Sequence, residues 1–545
     1  MNSRTGQGRP SLFSLLAAGL ALAALVAIAI APGAAADPQS ASTERGIVGG
    51  APAACPAEAG GLELTTSTIP EIRAAFGAGT LGSRELVEGY LARIEALNRR
   101  DPELRPVITT APDALEQADA ADAARASGED AGPLAGIPIL LKDNIDTTDF
   151  ETTAGAKAMA GPAPPRDAFL TARLREAGAI VLGKANMDEW ATEIDPRQPK
   201  GFSDVGGQTL NPYTNGNPSG SLGGPAVAAA SGLASSTVGS ETAGSIILPS
   251  YINSAVGIKP TRGLVSRGGV IPLLGQNDTP GPIDQNVTDA ALMLGLMTGV
   301  DRRDPVTAKQ IGNAQSDYTA FLDPDALQGA RIGIQKPVRG DDLYDIPGLA
   351  TIRSQLEDAG AIVVPLDQTL QVNFSLEQFA TSFLAQFRVQ LNRYLRQRGP
   401  TAPMDSMADV VAFNRAGGRG AVRYGQSRLI EAEALSPRDR RLAKSRLARI
   451  KTRSRIAVRE ALESQDVDAM IVSPGASSVT NTSAGYPAVT VPAGYEDGNP
   501  FGAIFTGRKW SEPELISFAY SYEQSSHAWR SPAEINPDFA AACAS

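Results

Sequence analysis

The chain has 545 residues and a formal net charge of −10, from 49 basic and 59 acidic residues. Its apolar, charged and Gly/Pro contents are those of an ordinary globular protein, which argues against a disordered or fibrous chain. The acidity also argues against a nucleic-acid partner, because such a partner requires a basic patch.

The first 36 residues have the features of a signal peptide. Arg4 and Arg9 form a positive start, an apolar run follows at 12–30, and three alanines at 34–36 offer a small-residue cleavage site before Asp37. The apolar run is long for a signal peptide, so an uncleaved N-terminal anchor is the alternative. The sequence therefore predicts a secreted or periplasmic protein, with no stable membrane association once the leader is removed.

Residues 37–62 are rich in Ala, Gly and Pro and predict a flexible lead-in. A pair of helices is expected next. Pro70 lies near the start of the first helix, with Ser67 and Thr68 as candidate caps. The second helix is predicted from one apolar face, formed by Leu86, Val87, Tyr90, Leu91, Ile94 and Leu97.

The cysteine and histidine content limits the possible covalent and metal chemistry. Cys55 and Cys543 are the only cysteines and lie near opposite ends of the mature chain. In an oxidising compartment they could form a disulfide or remain two free thiols, and the sequence leaves both possibilities open. Two cysteines and one histidine cannot supply a four-ligand Cys/His zinc site, and no EF-hand loop is present, so no metal is predicted.

From about residue 130, short apolar runs alternate with Gly-rich turns. The runs at 137–141 and 180–182 predict buried strands. Between them, 168–177 predicts a helix, with Asp167 as a candidate N-cap and Gly178 just past its end. Later apolar runs continue the strand pattern, at 332–334, 362–364, 470–472 and 488–491.

The segment from about 375 to 460 is expected to be mainly helical and to lie over the core. Its basic run at 438–455 predicts the solvated face of an amphipathic helix rather than a binding surface. The pattern of elements predicts an α/β fold, in which a central mixed β-sheet is surrounded by helices. One large domain is expected over residues 63–535.

Lys142 directly follows the predicted strand at 137–141. Burial disfavours the charged amine and lowers the pKa of a lysine from about 10.4, so a buried lysine can be neutral and accept a proton. The alternative is a lysine at a strand end whose side chain reaches water.

Two Gly/Ser segments contain the other candidate residues. Ser221 lies in the loop at 217–224, before a helix of small residues, and Ser245 ends a turn whose backbone N–H groups could bind a developing oxyanion. Each segment alone is more typical of an ordinary turn than of a catalytic site. His527 is the only histidine and no G-x-S-x-G elbow accompanies it, so it is predicted to be a surface residue. If a serine is the nucleophile, lysine is the available base.

Several motifs follow one another in a fixed order along the chain. They are Lys142-Asp143-Asn144, the segments 182–187, 219–224, 239–245 and 257–263, and the C-terminal segment 484–495. In this order they resemble the amidase signature family over roughly residues 65–530. The segments 207–213 and 239–242 look closest to the peptide-amidase-like branch of that family.

This resemblance implies a function for each candidate residue. Ser245 would be the nucleophile, Ser221, which is typically on a cis peptide in the family, the bridging acid/base, and Lys142 the neutral base. The oxyanion hole would be formed by the backbone N–H groups of Thr242, Ala243, Gly244 and Ser245. The family chemistry requires no cofactor, and the partner would be a small-molecule or peptide amide substrate.

Several positions differ from the family pattern, among them Pro225, which replaces a small residue at the start of the helix. Leu222 stands where a second serine often supports the bridging hydroxyl, and Ala243 replaces a glycine of the oxyanion turn. Ile247 stands where some branches have an arginine, which argues against carboxylate-bearing substrates and against a tRNA-amidotransferase subunit. The segments 190–215 and 375–430 are expected to supply the walls of the substrate pocket.

The resemblance predicts a secreted amidase that acts on a peptide C-terminal amide, an acyl amide or an aryl amide. The alternative is an exported binding protein that has the fold but an impaired proton relay, which the presence of Leu222 suggests.

Overall fold

A mixed β-sheet of eleven strands runs through the centre of the computed structural model, and helices cover it. The structure describes residues 55–99, 103–129, 132–338 and 345–544. The predicted signal peptide, and the predicted lead-in as far as residue 54, lie outside the described residues. The predicted class, one large α/β domain around a central mixed sheet, is confirmed.

Strands are numbered in chain order over the described residues. Two small strand pairs lie outside the central sheet: β1 (Glu58–Ala59) with β2 (Leu62–Glu63), and β6 (Phe202–Ser203) with β7 (Gly207–Gln208). The central sheet contains β3 (Val107–Thr110), β4 (Pro138–Lys142), β5 (Ile180–Ala185), β8 (Ser236–Glu241), β9 (Val256–Lys259), β10 (Thr279–Asp284), β11 (Arg331–Ile334), β12 (Ile362–Pro365), β13 (Ala469–Ile471), β14 (Ala488–Glu496) and β15 (Asn499–Thr506).

The α-helices are numbered in the same way. The first eight are α1 (Ile69–Ala78), α2 (Ser83–Arg99), α3 (Ala114–Ala126), α4 (Phe169–Glu176), α5 (Gly223–Ala230), α6 (Ile247–Ile252), α7 (Val287–Met297) and α8 (Leu349–Asp358). The others are α9 (Leu376–Arg398), α10 (Met407–Gly417), α11 (Ser427–Ala434), α12 (Pro437–Glu463), α13 (Pro474–Ala476), α14 (Thr482–Ala484), α15 (Glu512–Ser526), α16 (Pro532–Ile535) and α17 (Pro537–Ala544).

The central sheet is parallel in two places and antiparallel elsewhere. Its strand order is β12-β11-β13-β15-β14-β9-β10-β8-β4-β5-β3. β4 pairs in parallel with both β5 and β8, and β11 pairs in parallel with both β12 and β13. β4 and β5 are buried along their whole length, which explains their nearly continuous apolar sequences. The crossover between these two parallel strands contains α4.

The six strands predicted from the sequence are confirmed as β4, β5, β11, β12, β13 and β14. The predicted helix at 168–177 is confirmed as α4, and Gly178 follows it with a φ of +93° in the left-handed region. The predicted N-cap function of Asp167 is wrong. Its carboxylate accepts the backbone N–H of Thr148 at 2.8 Å and lies 3.1 Å from Nε of Arg175, so it does not cap α4.

The predicted N-terminal helix pair is confirmed as α1 and α2. Thr68 is the N-cap of α1, and its hydroxyl accepts the backbone N–H of Glu71 at 3.3 Å. The carboxylate of Glu71 accepts the backbone N–H of Thr68 in return, which completes a capping box. The apolar face predicted for α2 packs against the main core, with only Leu91 partly exposed.

Residues 55–62, the described part of the predicted flexible lead-in, are held in place. β1 pairs with β2, and Cys55 is buried and forms a disulfide with Cys543 of α17. α17 lies beyond the predicted end of the domain at residue 535 and packs against α2. The disulfide, one of the two possibilities left open by the sequence, joins positions 488 residues apart.

The helical segment predicted at 375–460 is confirmed as α9 to α12, but it also has an apolar core of its own. Phe387 of α9 packs against Trp190, which belongs to the loop after β5, with ring centroids 6.0 Å apart. The basic run at 438–455 lies on α12, as predicted. Among the described residues, no helix combines the length and the apolar character needed to cross a membrane.

Candidate active site

The candidate residues meet where the carboxyl ends of β4 and β8 lie side by side. These strands are parallel neighbours, with Leu141 opposite Val238, so the residues that follow them emerge at the same edge of the sheet. Lys142 ends β4, and the turn that contains Ser245 begins directly after β8. Ser221 lies in the loop before α5, and α5 packs against β8.

Lys142 is 1% exposed, and its amine is surrounded by hydroxyl and carbonyl oxygens. Its Nζ lies 2.9 Å from Oγ of Ser221, 3.3 Å from the backbone oxygen of Ser240 and 3.4 Å from Oγ of Ser240. The alternative of a strand-end lysine that reaches water is therefore wrong. Burial lowers the pKa of Lys142 to about 7, although the carboxylates of Asp188, Asp278 and Glu241 partly oppose this shift.

Ser221 lies between Lys142 and Ser245 and contacts both side chains. The hydroxyl of Ser221 donates to Oγ of Ser245 at 3.1 Å, so one chain of hydrogen bonds joins Lys142, Ser221 and Ser245. The peptide bond between Gly220 and Ser221 is cis. A Cβ atom at Gly220 would lie 1.9 Å from Oδ2 of Asp188, so this loop requires glycine there.

Leu222 has a packing function that the sequence did not reveal. Its side chain is fully buried and covers Gly239 of β8, where a Cβ atom would lie 2.1 Å from Cδ2 of Leu222. Ser240, the next residue of β8, places its hydroxyl beside the amine of Lys142. The amide nitrogen of Asn144 donates to the same hydroxyl at 2.9 Å. Leu222 is thus a core residue, and Ser240 and Asn144 supply polar contacts around the lysine.

The turn between β8 and α6 is held from both sides. The carboxylate of Glu241 accepts the backbone N–H groups of Ile246 at 2.9 Å and Ile247 at 3.1 Å, and the hydroxyl of Thr482 at 2.6 Å. The hydroxyl of Thr242 donates to Asp278 at 2.7 Å. These bonds use the polar groups on the inner side of the turn and fix its backbone.

The predicted oxyanion donors lie on this turn. Within the described part of the chain, the backbone N–H groups of Thr242, Ala243, Gly244 and Ser245 have no protein acceptor. Gly244 has a φ of +93°, and a Cβ atom there would lie 2.2 Å from Oγ of Ser478, so glycine is required. Ala243 is exposed at the tip of the turn. The turn therefore offers donors to a ligand beside the hydroxyl of Ser245.

A cavity of about 550 Å³ opens beside these groups. Lys142, Ser221 and Thr242 lie in its wall, together with apolar side chains that include Met187 and Trp190. As predicted, the segments 190–215 and 375–430 each contribute to its wall, through residues 190–191 and 390–398. The segment 267–280 forms much of the rest of the wall, a position that the sequence analysis did not predict for it.

Five supporting residues were not assigned a function from the sequence. They are Asn144, Asp188, Ser240, Glu241 and Asp278. Four of them lie inside or beside the quoted motifs, but only the fold shows which neighbour each one contacts. His527 is exposed at the C-terminal end of α15, which confirms that it is a surface residue.

Comparisons with known proteins identify relatives of this chain. Residues 85–481 match the family described as Amidase. A probable amidase of Arabidopsis thaliana is 38% identical over 477 residues, covering 85% of this chain and 90% of the plant protein. The crystal structure of a peptide amidase from Stenotrophomonas maltophilia is 41% identical, with a TM-score of 0.77, covering 86% of this chain and 98% of that one.

Relatives with another activity are also similar. A glutamyl-tRNA(Gln) amidotransferase subunit from Moorella thermoacetica is 32% identical over 500 residues, covering 87% of this chain and 99% of that protein. In this chain Ile247 is fully buried in α6.

We expect Lys142→Met to change how stability depends on pH. The pKa of Lys142 is about 7 in the folded protein and returns to 10.5 on unfolding, so between these values the unfolded chain binds more protons. Stability therefore rises with pH in this window. From pH 7 to about pH 9 the free energy of unfolding of the wild type should rise by about 2–3 kcal/mol more than that of the variant.

Urea unfolding at a series of pH values measures this difference. Lys444→Met, on the exposed surface of α12, is the matched control and should follow the wild type. Parallel pH curves for the wild type and Lys142→Met would show that Lys142 has an ordinary pKa.

Proposed function

The chain belongs to the amidase family and is a hydrolase of amide C–N bonds, and we propose that Ser245 is its nucleophile, Ser221 its bridging acid/base and Lys142 its base. The observation that carries this proposal is the continuous contact from Nζ of Lys142 to Oγ of Ser221 at 2.9 Å and on to Oγ of Ser245 at 3.1 Å. A neutral lysine is the base such a chain requires, since the only histidine lies elsewhere.

Attack begins when Oγ of Ser245 adds to the amide carbonyl carbon. Its proton passes to Ser221, whose own proton passes to the neutral amine of Lys142, so the net transfer is from Ser245 to Lys142. The carbonyl oxygen becomes an oxyanion, and the backbone N–H groups of Thr242, Ala243, Gly244 and Ser245 are the donors proposed to stabilise it. Bonds to Glu241 and Asp278 hold these donors in place before substrate binds, which limits reorganisation during the reaction.

Collapse of the tetrahedral intermediate breaks the C–N bond. The leaving nitrogen takes a proton from Ser221, which is restored from Lys142, and departs as an amine or ammonia. Water then attacks the acyl-enzyme through the same relay and releases the acid. The replacement at Ala243 is compatible with this function, because the oxyanion contacts are made by backbone groups and the side chain is exposed.

The substrate class proposed is a peptide C-terminal amide. The likeness to the Stenotrophomonas peptide amidase over nearly its whole length supports this choice over acyl and aryl amides. A cavity of about 550 Å³ also provides more space than the reacting group alone needs. The buried Ile247 supplies no cation for a substrate carboxylate, which favours an amidase over an amidotransferase component.

The alternative function, an exported binding protein with an impaired relay, depended on Leu222. Because Leu222 fills the space over Gly239 and Ser240 contacts the lysine amine, the loss of a serine at 222 has a packing explanation. This favours an active enzyme.

We also propose that the protein is exported and that its leader is removed before Asp37. The n-region, apolar run and alanine cleavage site support export. The disulfide between Cys55 and Cys543 supports an oxidising compartment.

A fluorophosphonate probe and paired substrates test the catalytic assignment. Wild-type protein should be labelled stoichiometrically and Ser245→Ala should not be labelled. Lys142→Ala should lower kcat/KM for an amide by about 10²-fold or more, and for the matched ester by at least about tenfold less, because an amine leaving group needs a proton. Equal losses on both substrates would contradict the function of Lys142 as a proton donor. Failure to label the wild type would favour the binding protein.

Three amides test the substrate class: a peptide C-terminal amide, a fatty acyl amide and an acyl anilide. We expect kcat/KM to be highest for the peptide amide, by about tenfold or more, equivalent to one additional good contact in the transition state. The peptide with a free carboxylate is the control and should inhibit weakly. A preference for the anilide or the fatty amide would leave the amidase assignment intact but refute the peptide substrate.

N-terminal analysis of the exported protein tests the leader. The mature chain should begin at Asp37, and Ala36→Arg should retain the leader because the cleavage site requires small residues. Wild-type protein that remains in the membrane fraction and begins at Met1 would indicate an uncleaved anchor instead.

A further inference from the structure

The basic run on α12 is only partly a solvated face. Most of its cations are exposed, but Lys451 and Arg455 are partly buried and face the part of the fold that carries the active site. Nε of Arg455 donates to the backbone oxygen of Ala484 at 3.0 Å. These two side chains therefore leave the solvent-facing side of the helix and lie near the turn that follows α14.

Arg262 approaches the same turn from the loop after β9. Its backbone N–H donates to the backbone oxygen of Gly485 at 3.3 Å, one residue from the acceptor used by Arg455. Nε and Nη2 of Arg262 both donate to the backbone oxygen of Gly275, at 3.0 and 2.6 Å. The two guanidinium groups are thus fixed by carbonyl groups, and each retains donors that bind no protein acceptor among the described residues.

Two further lysines lie around this loop. Nζ of Lys509 lies 4.0 Å from the ring centre of Trp510, whose backbone N–H donates to Thr261 at 3.0 Å. Lys309 lies on a short 3-10 helix at 305–310 that packs against Gly263. We name these five side chains the cation cluster: Arg262, Lys309, Lys451, Arg455 and Lys509.

The cation cluster has no compensating negative charge in contact with it. Over the described ranges, none of its members forms an ion pair with a carboxylate. The nearby acids have other partners: Glu512 accepts the backbone N–H of Thr261, Asp304 pairs with Arg267, and Asp278 binds Thr242. Burial and the four other cations lower the pKa of Lys451 to about 7, with no carboxylate opposing the shift.

We propose that the cation cluster is a binding site for a multivalent oxyanion of the phosphate class. Within the part of the chain that the structure describes, Lys451 has three N–H donors with no protein acceptor, and Arg455 has both of its Nη groups available. Guanidinium and ammonium groups together match the several oxygens and the charge of such an anion. A single carboxylate carries one charge and would leave most of the cluster uncompensated.

The partial burial of the site favours a small soluble anion. Nucleic acid would need an extended basic surface, whereas the chain is acidic overall and Lys451 and Arg455 lie partly inside the fold. None of the five side chains of the cluster lines the cavity beside Lys142 and Ser221, so this inference does not depend on the proposed amidase mechanism. It predicts that the protein binds phosphate-class anions even when the catalytic serine is replaced.

Calorimetric titration of the Ser245→Ala protein with inorganic pyrophosphate tests the proposal. We expect saturable binding with one site per chain, and a higher Tm in its presence because the ligand binds the folded state. Lys451→Met should weaken pyrophosphate binding by about tenfold or more, since it removes a charge-assisted contact. The same change should raise the Tm of the anion-free protein by relieving repulsion, which shows that the variant is folded.

Lys444→Met removes the same charge from the same helix outside the cluster and should bind pyrophosphate as the wild type does. Cosedimentation with phosphatidylglycerol vesicles distinguishes a lipid phosphate from a soluble one. Binding to the vesicles that pyrophosphate displaces would identify a lipid headgroup, and binding of pyrophosphate alone would identify a soluble anion. No binding of pyrophosphate to the wild type, or equal affinity in Lys451→Met, would overturn the proposal.

Discussion

The candidate active site depends on the amine of Lys142, which is buried next to the hydroxyl groups of Ser221 and Ser240. Lys142 can be buried there because β4 ends at the sheet edge, where its parallel neighbour β8 also ends and supplies a carbonyl and a hydroxyl oxygen. A carboxylate in direct contact would stabilise the charged form and leave the lysine unable to accept a proton. The surrounding acids raise the pKa from a distance and are bonded to other groups.

Close packing around this amine explains several residues that do not take part in chemistry. Gly220, Gly239 and Gly244 each lie where a Cβ atom would clash with a neighbouring side chain, and two of those neighbours, Asp188 and Leu222, help to shape the Ser221 loop. Replacement of a serine by leucine at 222 is therefore coupled to the glycine opposite it on β8. The bridging hydroxyl and its partners keep their spacing although the loop sequence has changed.

The sequence predicted the local elements and the three candidate residues, but not the contacts that support them. The strands at 137–141 and 180–182 have apolar runs that can be identified from composition, and the motif order placed Lys142, Ser221 and Ser245 in one family pattern. Asp167 was wrong as an N-cap because its carboxylate contacts Thr148, which is 19 residues away in sequence, and Arg175 near the end of α4. Asp188 and Ser240 acquire their functions only through long-range contacts, which periodicity does not encode.

Lys142 and the cation cluster both place positively charged groups away from water, but the cost of burying that charge is met differently in the two places. At Lys142 burial lowers the pKa to about 7, so the amine can lose its proton near neutral pH, and the surrounding hydroxyl and carbonyl oxygens can accommodate the neutral form. Arg262 and Arg455 cannot respond in this way, because a guanidinium group stays protonated at neutral pH. Two fixed charges beside Lys451 therefore remain in the folded protein, and among the described residues no carboxylate forms an ion pair with either of them, so a bound anion is the group that would compensate them by direct contact.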